Sequence, residues 1–286
     1  MTLLAGAATP ANAAASPGGR ILSVNASDGN SPGELRSARP DGTGMTDLGH
    51  EIYPLSSPDY SPDGTLIVYD GVHFTIRTMK ADGTDDQRIA DAPCGPSRSR
   101  WSPDGRWIAF ESCGDIWKLS SQGYPGGYFN LSNNLANSSP DWGPLGRRLA
   151  APAEGTIRIY RADGSGWRVL TDLPRASDVA WNPRSTTIAV MAMGDLWFVD
   201  AVTGAKRQLT DTPDVVESHP VWSPDGRWLA YASGGVLPPP PPDEQPPPEP
   251  PTPVVKDPQI WLMTAAGSQR HSTGVAGIPT SWRAQD

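Results

Sequence analysis

A ten-residue segment occurs twice in this chain with few changes, and it limits the possible fold more than any other feature. Residues 101–110 read WSPDGRWIAF and residues 222–231 read WSPDGRWLAY. Ser-Pro-Asp-Gly is typical of a tight turn, because proline fixes φ at the second turn position and glycine takes the positive φ that follows. The apolar residues after the turn predict a strand, so the segment is interpreted as a β-hairpin. One hairpin cannot bury both of its faces, and further copies are therefore expected.

The aromatic residue before this turn recurs at a nearly constant interval. Its positions are Tyr60, Trp101, Trp142, Trp181, Trp222 and Trp282. A second marker is the glycine of a small-Asp-Gly or small-x-Gly turn. Its positions are Gly42, Gly83, Gly123, Gly164, Gly204 and Gly267. Both intervals stay between 39 and 41 residues and lengthen only at the end, to 60 and 63. That last interval contains residues 237–253, which are mostly proline, so we interpret this segment as an insertion in the fifth repeat.

A period near 40 residues with four short β-runs is typical of a propeller blade. Helical repeats would show apolar residues at i, i+3, i+4 and i+7, and this pattern does not occur. In the fourth repeat we predict strands A to D at 178–181, 187–191, 195–200 and 206–210. Large aromatic side chains fill the space between packed sheets, so we expect the repeated tryptophans to belong to the core.

The two ends of the sequence determine the number of blades, because a propeller must close and protect its edge strands. The last repeat supplies only a strand A, which ends near Trp282. The missing strands B, C and D are predicted at 20–25, 33–38 and 46–50. The prediction is an all-β fold, a six-bladed β-propeller of four-stranded antiparallel blades, forming one domain over residues 20–286.

Bulk properties exclude several classes of partner. The net charge is −8 at pH 7, which argues against binding to nucleic acid or to an anionic membrane. No apolar run is long enough to cross a membrane as a helix. The four histidines are dispersed and no cofactor motif occurs, so we expect no metal, no cofactor and a monomer.

Residues 1–19 are expected to lie outside the fold. A short apolar stretch is followed by small residues with Ala-Asn-Ala and Ala-Ala-Ala sites, as at the end of a secretory signal, although a basic start is absent. We interpret this segment as a signal-peptide remnant or as a disordered tail.

Cys94 and Cys113 provide a second indication of export. If Trp101 faces Arg106 across the hairpin, the two cysteines lie directly opposite each other, at a separation that suits a disulfide. A disulfide between them fits an oxidising compartment. The alternative is a pair of buried free thiols.

Several of these motifs occur together in one known family. The aromatic-Ser-Pro-Asp-Gly turn, the Ile-Ala-Phe strand, Asp-Ile-Trp at 115–117, Arg-Ala-Asp-Gly at 161–164 and Leu-Thr at 209–210 resemble the WD40-like β-propeller repeats of the TolB family. The resemblance covers 20–282 and implies an exported cell-envelope propeller that binds other proteins. The α/β domain that precedes the TolB propeller is missing here, and the proline-rich segment is foreign to that family.

Common enzyme motifs were not found, but one group of polar residues varies between repeats. In a propeller the first residues of each strand A crowd the mouth of the central channel. The residues three before each aromatic are Ser57, Arg98, Ser139, Asp178, His219 and Pro279. Together with neighbours, the predicted ligand- or partner-binding set is Arg98, Asn137, Asp178, Glu217 and His219. The alternative is a solvated rim whose charges pair with one another.

The resulting functional prediction is an exported, non-enzymatic protein–protein interaction module of the cell envelope, located in the periplasm, outside the cell or at the cell wall. The alternative is a carbohydrate-active hydrolase or lyase with its site at the channel mouth. The acid, the base and the charge stabiliser would come from Arg98, Asp178, Glu217 and His219. The 237–253 insertion would be a loop between strands B and C, on the same face as that mouth.

Overall fold

The computed structural model describes residues 17–26, 32–52, 56–123, 127–133, 137–236 and 255–284. Within these residues every regular element is a β-strand, and the strands β1 to β24 form six four-stranded antiparallel sheets. The sheets are the six blades of a β-propeller, as predicted. No helix in this described part is long and apolar enough to span a membrane.

In each blade we name the strands A to D from the channel outwards. Blade 1 consists of β4 (Asp59–Tyr60), β5 (Leu66–Gly71), β6 (Thr75–Lys80) and β7 (Gln87–Asp91). Blade 2 consists of β8 (Ser97–Trp101), β9 (Trp107–Ser112), β10 (Asp115–Ser120) and β11 (Tyr128–Asn130). Blade 3 consists of β12 (Asp141–Trp142), β13 (Arg148–Ala153), β14 (Thr156–Arg161) and β15 (Trp167–Asp172).

The remaining blades complete the ring. Blade 4 consists of β16 (Ala176–Trp181), β17 (Thr187–Ala192), β18 (Asp195–Asp200) and β19 (Lys206–Gln208). Blade 5 consists of β20 (Val215–Trp222), β21 (Trp228–Val236), β22 (Val255–Thr264) and β23 (His271–Ala276). Blade 6 consists of β24 (Ile278–Arg283), β1 (Arg20–Asn25), β2 (Gly33–Ala38) and β3 (Thr46–Ile52).

Blade 6 closes the ring as predicted, with strand A from the end of the sequence and strands B to D from its beginning. Ile21 pairs with Trp282 in the register between β1 and β24. The indole Nε1 of Trp282 donates to the carbonyl of Gly18 at 3.0 Å, and Nη1 of Arg283 donates to the carbonyl of Gly64 in blade 1 at 2.9 Å. The closing strand is therefore bonded to both of its neighbours.

The core lies between successive blades. The repeated tryptophans are buried there, as predicted: Trp142 is 4% exposed and Trp222 is 6% exposed. Trp222 stacks on Phe198 of blade 4 with ring centroids 5.4 Å apart. The glycine of each C-to-D turn packs against the preceding blade, and a Cβ added at Gly83 would lie only 2.3 Å from the carbonyl oxygen of Leu48.

The disulfide between Cys94 and Cys113 is confirmed, with a Cα–Cα distance of 5.5 Å, but the register used to predict it is wrong. Trp101 pairs with Ile108 and not with Arg106, because the turn between the strands is longer than assumed. A bulge in β8 shifts the register back, with Arg98 at a φ of 56°. This bulge shifts the register towards the pairing of the two cysteines, which lie beyond the ends of the strands.

In blade 5, strand B ends at Val236 and strand C begins at Val255, on either side of the predicted insertion. Residues 237–253, and residues 1–16 of the tail predicted at 1–19, lie outside the described residues.

Candidate functional site

The strands A of neighbouring blades contact one another around the central channel. Each strand A runs from a D-to-A connection to an A-to-B turn, and the channel therefore has two different ends. The D-to-A end also carries the B-to-C turns, because successive strands are antiparallel. We call these two ends the D–A face and the A–B face.

At the D–A face, Arg98 of blade 2 reaches across the channel to blade 4. Its guanidinium forms an ion pair with the carboxylate of Asp178, and Nη1 also donates to the hydroxyl of Ser139 in blade 3 at 2.8 Å. The hydroxyl of Ser139 donates to Asp178 Oδ1 at 3.2 Å. Three blades are thus joined by one buried polar cluster.

His219 of blade 5 completes this cluster. Its Nδ1 lies 3.9 Å from Asp178 Oδ2 and 2.9 Å from the hydroxyl of Ser218. Burial raises the pKa of Asp178, but the positive charge of Arg98, with His219, outweighs burial and lowers this pKa to about 2. Burial lowers the pKa of His219, which favours the neutral imidazole. We call Arg98, Ser139, Asp178 and His219 the mouth cluster.

The other two predicted site residues, Asn137 and Glu217, lie elsewhere. Asn137 is buried beside strand C of blade 3, where it accepts a hydrogen bond from the hydroxyl of Tyr160. Glu217 is 4% exposed and accepts a hydrogen bond from the hydroxyl of Thr212 at 2.7 Å. Burial raises the pKa of Glu217. The structure therefore brings together three of the five predicted residues.

A second set of channel residues was not predicted from the sequence. Each stands directly before a repeated aromatic residue. In three blades its side chain accepts a hydrogen bond from the backbone N–H of the repeated aromatic residue in the following blade. Asp59 accepts from Trp101 at 2.8 Å, and Asp141 accepts from Trp181 at 2.6 Å. Ser281 accepts from Tyr60 at 3.0 Å in the same manner. The sequence feature that could have identified these channel residues is a polar residue directly before a repeated aromatic.

The electrostatics of these carboxylates are unusual. Burial raises the pKa of Asp141 from 3.8 to about 7, against the opposing charge of Arg100. Burial also raises the pKa of Asp59. The Arg100 guanidinium donates to the carbonyl of Ser57 at 2.7 Å and to its hydroxyl at 3.0 Å.

These residues form the floor of a cavity of about 500 Å³ that opens on the A–B face. We call this cavity the vestibule. The residues that line it include the six repeated aromatics and the proline residues of five A-to-B turns, Pro62, Pro103, Pro144, Pro183 and Pro224. Its size is that of a small-molecule site.

One turn on the D–A face departs from its counterparts. The B-to-C turns of blades 2 and 3 have glycine at the left-handed position, Gly114 and Gly155, both with φ of 74°. In blade 1 the longer turn places Phe74 in this region, with φ of 61°, and the side chain is 58% exposed. A bulky residue is strained in this conformation. The turn borders a second cavity of about 290 Å³ that also contains buried Asp70.

No protein-family model matches this sequence. It is 26% identical over 202 residues to an uncharacterized peptidase, YuxL, of Bacillus subtilis, covering 64% of this chain and 30% of that protein. It is 28% identical over 179 residues to an uncharacterized protein, Atu1656, of Agrobacterium fabrum, covering 56% of both. The chain thus spans roughly a third and about half of the lengths of these curated relatives.

The similarity to solved structures covers more of this chain than the similarity to the curated relatives. TolB of Acinetobacter baumannii superposes with a TM-score of 0.69 at 18% identity, covering 94% of this chain and 67% of that one. A TolB structure from Agrobacterium tumefaciens gives 0.65 at 18% identity, covering 83% and 88%. An oligogalacturonate lyase in complex with manganese gives 0.53 at 12% identity, covering 90% and 74%. The protein is a six-bladed β-propeller. Its fold is the one found in these TolB structures.

Proposed function

We propose that this propeller is an exported, non-enzymatic protein-interaction module of the cell envelope, and that its partner binds the D–A face. The disulfide and the likeness of the fold to TolB support this proposal. The observation that carries it is Phe74, because a strained backbone and an exposed aromatic ring both cost stability without contributing to the core. Aromatic anchors of this kind are typical of protein interfaces.

The surroundings of Phe74 fit the same role. Val72 in the same turn is 54% exposed, and Met193 in the equivalent turn of blade 4 is 45% exposed. Apolar side chains thus project from separate blades around the polar mouth cluster, whose Arg98, Asp178 and His219 would provide hydrogen bonds at the centre. The ends of the 237–253 insertion, Val236 and Val255, also lie at the B-to-C side of blade 5. The insertion would enlarge this partner-binding face.

The test uses the substitution Phe74→Gly. Glycine takes a positive φ without strain, so the variant should be at least as stable as the parent in urea, yet lose the partner captured from a cell-envelope extract. Leu145→Gly is the control, because Leu145 is 82% exposed in an A-to-B turn on the opposite face. A second variant replaces residues 237–253 by a short Gly-Ser linker. Equal capture by the parent and both test variants would rule out the D–A face as the binding surface.

The second candidate is a carbohydrate-active hydrolase or lyase, favoured by the fold likeness to the oligogalacturonate lyase. In the mouth cluster, however, Arg98 and Asp178 bind each other across the channel. Among the described residues there is no group of three His, Cys, Asp or Glu side chains placed to hold a metal. Release of reducing or unsaturated ends from a panel of acidic oligosaccharides, abolished by His219→Ala, would support this candidate against the binding module.

A further inference from the structure

The vestibule lies at the opposite end of the channel from the proposed partner-binding face, and its floor has an excess of negative groups. Asp59 and Asp141 contribute two carboxylates, whereas Arg100 is the single basic residue beside them. The Arg100 guanidinium is engaged by Ser57 and, within the described residues, forms no ion pair with either carboxylate. Each carboxylate accepts two hydrogen bonds in the fold and retains lone pairs for more.

The walls above this floor suit a cation on an apolar stem. The six repeated aromatic residues line the cavity together with the turn prolines and make its wall largely apolar, although their rings are mostly buried between the blades. The indole Nε1 atoms of Trp101 and Trp181 are buried and find no hydrogen-bond partner in the described part of the chain, although both side chains line the vestibule. Within that part of the chain, these two N–H groups are unpaired donors of residues that line the vestibule, but the nitrogen atoms themselves have almost no exposed surface.

Two further arginines belong to the outer part of the vestibule. Arg184 donates to the carbonyl of Pro224 at 3.3 Å, and Arg283 donates to that of Gly64 at 2.9 Å while its guanidinium lies 5.1 Å from the centre of the Tyr60 ring. Both are bound to A-to-B turns of neighbouring blades. A ligand that reaches the floor therefore meets two carboxylates with Arg100 beside them, and within the described residues Arg100 forms an ion pair with neither.

From these contacts we propose that the vestibule binds an organic cation, an ammonium or guanidinium group on an apolar or aromatic stem, with Asp59 and Asp141 as its counter-ions. The stem lies against the aromatic and proline walls, and the cation reaches the floor. The ligand is either a free amine or the basic side chain of a peptide, since both present this chemistry. This site is separate from the D–A face and does not depend on the function proposed for it.

Binding of the cation should be coupled to the ionisation of Asp141. With its pKa raised to about 7, this carboxyl is largely protonated at pH 5.5 and largely ionised at pH 8. A cation that requires the ionised form should bind up to about 30-fold more weakly at pH 5.5, in proportion to the ionised fraction. Burial also raises the pKa of Asp59, the second floor carboxyl, which shifts the dependence in the same direction.

The experiment follows the indole N–H signals of the intact protein by NMR during titration with three probes that share one ring. These probes are phenethylamine, phenethyl alcohol and phenylacetate, which are cationic, neutral and anionic. Acetyl-Phe-Arg-amide is a fourth probe, and its affinity relative to phenethylamine distinguishes a peptide side chain from a free amine. The variants are Asp141→Asn and Asp59→Asn, with Asp163→Asn as the control. Asp163 is exposed in a C-to-D turn, where it accepts a hydrogen bond from the Ser165 amide.

We expect the two cationic probes to shift the signals of Trp101 and Trp181, and to bind at least tenfold more tightly than the alcohol at pH 8. Asp141→Asn should remove most of the pH dependence and most of the preference for the cation, whereas Asp163→Asn should change neither. Equal affinities for amine and alcohol would overturn the proposal. So would tighter binding of phenylacetate, the absence of binding by any probe, or unchanged binding in both floor variants.

Discussion

Replacing Asp141 by asparagine should make the free energy of unfolding less dependent on pH. Between pH 5 and pH 8 the variant should lose less stability than the parent. In the folded chain the carboxyl is buried beside the channel, which raises its pKa from 3.8 to about 7. Between these two values the unfolded chain releases the proton while the folded chain retains it. The contribution of Asp141 to the free energy of unfolding is therefore greatest below pH 3.8 and decreases as the pH rises towards 7.

The size of this effect follows from the two pKa values. A difference of about three units corresponds to about 4 kcal/mol in all, of which about 3 kcal/mol is lost between pH 5 and pH 8. This is an upper value, because Asp141 lines the vestibule and solvent there screens its charge. Asparagine keeps only one acceptor oxygen, so one of the hydrogen bonds from the Trp142 and Trp181 amides is lost, at about 1–2 kcal/mol and equally at each pH.

Urea denaturation of the parent and the variant at both pH values measures the difference. Asp163→Asn is the matched control, because hydrogen bonds from Ser165 lower the pKa of Asp163 and it stays ionised throughout this interval. His219 contributes in the opposite direction, since burial lowers its pKa, and it does so equally in all three proteins. If Asp141→Asn lost as much stability as the parent between pH 5 and pH 8, the raised pKa of Asp141 would be refuted.

Three further changes test the covalent bridge, the contact between blades and the closure of the ring. Replacing Cys94 and Cys113 together by alanine should lower the free energy of unfolding by about 3 kcal/mol in urea, because the bridge spans a sequence separation of 19 residues. Gly83→Ala should cost more than about 2 kcal/mol by the same measurement, since φ is 86° and the new Cβ would meet a backbone carbonyl of blade 6. Removing residues 277–286 should expose the edge of β1 and abolish cooperative unfolding in calorimetry.

Each of these three predictions has an outcome that would contradict it. Two free thiols found by mass spectrometry without reductant would exclude the disulfide. Gly114→Ala is the control for Gly83→Ala, because φ is 74° but nothing lies within 4 Å of the added Cβ, so that only the backbone strain of about 1 kcal/mol remains. Equal losses of stability in the two glycine variants would show that the contact between Gly83 and blade 6 does not contribute to stability. A shortened chain that melted like the parent would contradict the closure.

The sequence predicts the architecture well because its period and its turns are both local signals. The Ser-Pro-Asp-Gly turns specify hairpins, and repetition specifies how the hairpins stack, so the blade count and closure follow without any knowledge of contacts. The predicted limits of strand C in blade 4, Asp195–Asp200, agree with the structure. Register was harder to predict, because it depends on the turn length and on the bulge at Arg98, where a non-glycine residue has positive φ.

Irregularities in the strands also explain which of the predicted site residues the structure brings together. Arg98, Asp178 and His219 occupy one position of the repeat, and the channel brings that position together from different blades. Asn137 and Glu217 stand two residues earlier, and regular alternation along a strand would put them on the same side. Bulges next to Ser218 and at Ser139 interrupt that alternation, so the two side chains face the blade interior.

The closure of blade 6 also orders events during synthesis of the chain. Strands β1 to β3 are made first, but the strand that pairs with the free edge of β1 is made last of all the described strands. While blades 1 to 5 emerge, Arg20–Asn25 presents unpaired backbone groups on an apolar strand. Such an edge can pair with another chain and cause aggregation. A chaperone that holds this strand until Ile278–Arg283 arrives would protect the nascent protein. The ring can thus be completed only after the last strand has left the ribosome.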